Sequence, residues 1–145
     1  MTTNEARATT LARALRAGIA GDREAVAAAC TDDIRMWAPA LTASSLTELL
    51  DALETRDTAF SDIDLEITPL DVGGDFACVE WTVRMTHTGA LELGGGTTID
   101  ATNERVTVNG ATIAEFEGDR ICALRQYWDE FAVLEQLGVL AAEPG

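Results

Sequence analysis

The sequence predicts an α+β fold: three helices, then a curved, mostly antiparallel sheet with those helices packed on one face, then a helical tail. Two observations carry this. Apolar residues recur at helical spacing over roughly the first sixty positions, and the period then drops from about 3.6 to about 2 residues. A third observation is size: 145 residues, 47% of them apolar, suit a single domain spanning 1–145 with one sizeable core.

The first helix is read from "NEARATTLARALRAG" (4–18), which sets Ala8, Leu11, Ala12, Leu15 and Ile19 on one face, with Gly18 placed to close it. "GDREAVAAAC" (21–30) gives a second, short helix with Asp22 as N-cap. Two aspartates then turn the chain into a short strand through Ile34–Trp37, which Pro39 stops. The third helix starts at Ser44 or Ser45, and Glu48 completes a capping box. Its Leu46, Leu49, Leu50 and Leu53 share one face.

In "DIDLEITPL" (62–70), Ile63, Leu65 and Ile67 alternate with Asp62, Asp64, Glu66 and Thr68, as in a strand with one wet face. "FACVEWTVRMTHT" (76–88) is a long strand, followed by a glycine-rich connection over 89–103. "RVTVNGATIAEFE" (105–117) and "RICALRQYWDE" (120–130) pair across a Gly-Asp hairpin turn. "FAVLEQLGVL" (131–140) is the helical tail, ended by Gly138.

The charge balance, 25 acids against 10 bases for a net −15, repels phosphate backbones and anionic lipid, so nucleic acid and membrane are not expected partners. The apolar runs fall well short of the roughly 20 residues of a membrane helix, and the N-terminus lacks the pattern of a signal peptide. A cytoplasmic protein is the expectation. Cys30, Cys78 and Cys122 form no CxxC pair and read as reduced, buried thiols. One histidine and no paired cysteines predict no metal site. "LGGGTTID" lacks the spacing of a phosphate loop and reads as a gate or hairpin.

The order of elements, with "GDREAVAAACTDDIRMWAP" (21–39), "THTGAL" (86–91), "GATIAEFEGDRI" (110–121) and "YWDEFAVLEQLG" (127–138), resembles the SnoaL-like branch of the nuclear transport factor 2-like (ketosteroid isomerase-like) superfamily. The resemblance implies a conical barrel with the N-terminal helices on the concave face of the sheet and a deep pocket inside. It implies a homodimer or higher homo-oligomer, a hydrophobic small-molecule substrate and no cofactor. Polyketide cyclases of this branch close rings by intramolecular aldol chemistry. Relatives include epoxide hydrolases, isomerases and non-catalytic binding modules, so fold alone does not give the reaction. In the cyclases an aspartate on the last strand, shortly before Gln-Leu-Gly, is the acid/base. The matching residue here is Asp129, seven positions before Gln136.

A regular strand over 121–129 would put Ile121, Ala123, Arg125, Tyr127 and Asp129 on one face, towards the pocket, and Trp128 on the other, towards an intersubunit surface. Asp129 would then exchange protons with a carbonyl-rich substrate, while Tyr127 or His87 held the developing oxyanion. Two other readings of Asp129 stay open: a cap on the tail helix, or a partner for Arg125. His87 ends the apolar face of Val79, Trp81, Val83 and Met85; it is either a core histidine or a substrate contact and proton donor near neutral pH. Trp37, Trp81, Met85 and Arg125 are candidate substrate contacts, the tryptophans otherwise serving as core or interface packing. Glu130 reads as solvated. An epoxide-opening reaction would need a second inward acid, for which Glu80 and Glu92 are weak candidates.

Overall fold

Side-chain caps start the short helices where the sequence places them. The Asp22 carboxylate accepts from the Ala25 N–H at 3.1 Å and begins α2 (Arg23–Ala29). Ser45 Oγ accepts from the Glu48 N–H, and Glu48 Oε2 takes both the N–H and the hydroxyl of Ser44, at the start of α3 (Leu46–Arg56). Those two bonds hold the Glu48 carboxyl below its ordinary value. Helix α1 (Thr3–Ala20) runs past Gly18; the left-handed Gly21 (φ 74°) ends it instead. Gly18 lies inside the helix, where a side chain would meet Leu53 at 3.8 Å.

The structure, a computed structural model, describes residues 3–39, 41–56, 59–70, 72–92 and 96–138. Parts of the glycine-rich connection (93–95) and the end of the tail (139 onward) lie outside them.

The strands are β1 (Cys30–Ala38), β2 (Leu41–Ala43), β3 (Phe60–Leu70), β4 (Phe76–His87), β5 (Leu91–Glu92), β6 (Thr98–Ile99), β7 (Arg105–Glu117) and β8 (Arg120–Trp128). Six form one curved sheet in the order β2-β1-β8-β7-β4-β3, antiparallel except for β1 beside β8. The glycine-rich connection is more ordered than its composition suggests, since β5 and β6 pair as a small ribbon. Helix α4 (Glu130–Gln136) closes the chain against β7. Its Gln136 accepts from the Thr107 N–H at 2.8 Å and donates to the Thr107 carbonyl at 2.9 Å, as a cross-strand neighbour would.

Helix α1 crosses β3 and β4, and α3 lies on β1, so the helices roof the concave face in an α+β cone. Arg7 fastens the start of the roof: it donates to Gly74 O, Asp75 Oδ1 and Gly118 O, with its guanidinium over the Phe116 ring. The buried residues form two clusters. One is built on Leu11, Ile34, Leu49, Val79 and Ile121, the other on Val83, Val106, Val108, Val133 and Leu137. Trp81 and Trp128 pack against both.

Candidate functional site

Between roof and sheet lies a cavity of about 220 Å³. Leu11, Leu15 and Ile19 of α1 and Leu49 and Leu53 of α3 line it from above; Ile63, Leu65, Trp81, Val83, Met85 and Val108 line it from the sheet. Strand β8 and the start of α4 supply Leu124, Gln126, Trp128, Glu130 and Val133. Gln126 and Glu130 are thus the amide and the carboxylate in an otherwise apolar wall among the described residues.

The lining set of β8 is the opposite of the one regular alternation predicts. A β-bulge causes this. Phe116 pairs with Ile121, but Glu115 pairs with Ala123, leaving Cys122 as an extra residue whose thiol donates to the Glu115 carbonyl at 3.4 Å. Beyond the bulge every side chain changes face. Leu124, Gln126 and Trp128 sit opposite Ala114, Thr112 and Gly110 on the inner face, while Arg125 and Tyr127 sit opposite Ile113 and Ala111 on the outer face.

The sequence-based site is therefore rearranged. Trp81 and Met85 line the cavity as expected. Trp128, expected outside, lines it too, and Glu130, expected in solvent, is half-buried there with its Oε2 accepting from Trp128 Nε1 at 2.6 Å. Trp37 and Tyr127 face outwards, 47% and 46% exposed, with ring centroids 5.2 Å apart. Arg125 is also on that side and pairs with Glu115 at 3.7 Å. Asp129 is exposed and accepts from the Ala132 N–H at 3.1 Å; it caps α4 rather than entering the cavity or pairing with Arg125. Beyond the bulge the strand's own composition carries a signal for this: Leu124 and Trp128 are more apolar than Arg125, Tyr127 and Asp129.

His87 is fully buried and outside the cavity lining. Its Nδ1 accepts from the Thr102 N–H at 3.2 Å, which places the ring proton on Nε2. With Glu104 and Asn103 bonded to its backbone, His87 fixes the segment leading into β7. Glu80 and Glu92 are exposed and do not line the cavity. Cys30 does line it, and burial pushes its thiol up to about 11. Among the described residues, no group of three or more His, Cys, Asp or Glu could hold a metal ion, and no helix is long and apolar enough to cross a membrane.

Residues 11–124 match the family model of the SnoaL-like domain. No curated protein matches the chain. Solved structures share its fold at low identity. The candidate SnoaL-like polyketide cyclase of Jannaschia sp. CCS1 superposes with a TM-score of 0.81 at 15% identity, over 99% of this chain and 97% of that one. AclR, a candidate hydroxylase from Streptomyces galilaeus, gives 0.78 at 21% identity, over 98% and 87%. An LEH-like epoxide hydrolase of M. tuberculosis gives 0.69 at 18% identity, over 94% and 92%. With a family model matched from α1 into β8, the chain belongs to the SnoaL-like domain family, and it shares its fold with these neighbours.

Proposed function

We propose that the protein is a cofactor-independent acid/base enzyme acting on a hydrophobic, carbonyl-rich small molecule, in its most concrete form a polyketide-type cyclase. The observation that carries this reading is Glu130: a carboxylate hydrogen-bonded by Trp128, beside the Gln126 amide, in an apolar cavity.

The chemistry uses these groups in turn. Glu130 takes the acidic proton from a carbon flanked by two carbonyls, and the electron pair moves to a carbonyl oxygen. The Gln126 amide has no side-chain partner among the described residues and can donate to that oxyanion. The enolate carbon then attacks a second carbonyl of the same molecule, and the new alkoxide recovers the proton from Glu130. The apolar walls exclude water, so the enolate is not simply reprotonated.

In this reading the role that the resemblance gives to Asp129 passes to its neighbour. Asp129 starts the helix that carries Glu130, Tyr127 belongs to the outer face, and His87 holds the segment before β7. An epoxide-opening reaction is less well supported, because Glu130 is the lone carboxylate among the described lining residues. The three free cysteines suit a reducing, cytoplasmic setting, and a homodimer or higher assembly remains part of the proposal.

The test is deuterium uptake, followed by NMR, at the carbon between the carbonyls of a hydrophobic β-diketone. The wild type and Asp129→Asn should accelerate it and Glu130→Gln should not. Acceleration by Glu130→Gln equal to wild type would remove Glu130 from the mechanism. Binding without acceleration by the wild type would make the domain a ligand-binding module.

A further inference from the structure

Strand β7 carries a glycine at its centre, Gly110, where neither a turn nor an unusual backbone angle calls for one. Gly110 faces Trp81 on β4 and Trp128 on β8. A Cβ built there would lie 2.4 Å from Trp81 Cζ2, 2.5 Å from Cη2 and 2.6 Å from the Tyr127 carbonyl oxygen. These are closer than non-bonded atoms approach, so the bare backbone is what allows the indole to lie flat against β7.

Two positions along the same face, Thr112 is fully buried, and its hydroxyl accepts from Trp81 Nε1 at 2.9 Å. The indole is therefore seated at its six-membered ring by Gly110 and tied at its N–H by Thr112. Trp81 packs against both apolar clusters, and its ring centroid is 6.1 Å from that of Trp128. It also lines the cavity.

We propose that Gly110 and Thr112 are positioning residues that set the width of this cavity through Trp81, and so set the size of uncharged ligand that the site takes. The inference rests on the cavity reading above. A side chain at 110 meets both the indole and the Tyr127 carbonyl oxygen, so the indole has to move, and the cavity it lines is the space beside it. Loss of the Thr112 hydroxyl has a similar effect: the half-buried indole N–H needs another acceptor, and the polar side chain directly across from Thr112 is the cavity-lining Gln126.

The experiment compares two neutral fluorescent probes: N-phenyl-1-naphthylamine, with two ring systems, and the smaller 1-naphthol. We expect Gly110→Ala to weaken N-phenyl-1-naphthylamine by about tenfold or more, the cost of one misplaced methyl in an apolar site, with a much smaller change for 1-naphthol. Thr112→Val should shift the ratio of affinities in the same direction, and Thr112→Ser, which keeps the hydroxyl, should restore it. If Gly110→Ala does not fold, the Thr112 pair decides on the same ratio. A wild-type ratio in Thr112→Val, or in a folded Gly110→Ala, overturns the inference while leaving the cavity reading intact. Binding of neither probe by the wild type overturns both.

Discussion

The Trp128 indole N–H donates to Glu130 Oε2 at 2.6 Å, so a wall of the cavity and the carboxylate that serves it are one hydrogen-bonded unit. In the proposed reaction the tryptophan both excludes water and aims the acid. Trp128→Phe keeps an aromatic wall and removes the donor. We expect kcat for β-diketone exchange to fall by about ten- to a hundredfold, the usual consequence of a reacting group displaced by a fraction of an ångström to an ångström, with a smaller change in KM. Steady-state kinetics separate the two.

Asp129 and Glu130 should respond oppositely to substitution. Asp129→Ala removes the acceptor for the Ala132 N–H and should cost about 1 kcal/mol in urea denaturation, the typical value of an N-cap. Asp129→Asn, another good cap, should be near neutral. Glu130→Gln should leave the urea midpoint close to wild type while abolishing exchange.

Gln136 docks the last helix by imitating a strand. Its side chain satisfies both backbone groups of Thr107, which sits on the outward parity of β7. Gln136→Ala should destabilise the protein by roughly 1–2 kcal/mol, two ordinary hydrogen bonds less the water that replaces them. Native-state hydrogen exchange gives a sharper reading: the Thr107 amide should lose protection more than the Val108 amide beside it.

Cys30 gives a dependence on the alkaline side. Burial raises its thiol from 9.0 to about 11. The folded state therefore keeps a proton that the unfolded chain gives up between these values. Its contribution to stability is complete below pH 9.0 and is lost as pH rises towards about 11. Urea midpoints of wild type and Cys30→Val, compared from neutral pH upward, should run parallel up to about pH 9 and then diverge, with the wild type falling faster. At pH 8 a thiol reagent should modify Cys30 only on unfolding, and a ligand filling the cavity should slow that reaction further.

The fold was legible because its signals are local. Asp22 and the Ser45–Glu48 box announce their helices within a few residues, and the alternation of Ile63, Leu65 and Ile67 needs no knowledge of what they pack against. The site was legible in part. Trp81 and Met85 follow from the unbroken alternation of β4. The β8 contribution does not, because an extra residue at Cys122 leaves a stretch that still alternates plausibly on either side of it. Nor could single-strand periodicity show that Gly110 serves the indole of Trp81, or that Gln136 completes Thr107. Each is a contact between residues about thirty positions apart, settled by how strands are paired rather than by what either segment prefers.

The Cys122 bulge makes the character of the cavity a matter of counting. Cys122 is the residue the bulge absorbs, so deleting it would leave Leu124, Gln126 and Trp128 on the inner face; straightening the bulge with the residue retained would instead turn Arg125 and Tyr127 inwards and Trp128 towards solvent. A greasy wall with an amide would become one bearing a guanidinium and a phenol, although the amino acids of that wall would be unchanged. On this scaffold a change that removes the bulge without removing a residue can therefore exchange one ligand chemistry for another in one evolutionary step, where remaking the lining residue by residue would need several. Descendants compared residue by residue would look nearly identical while presenting different linings to what they bind.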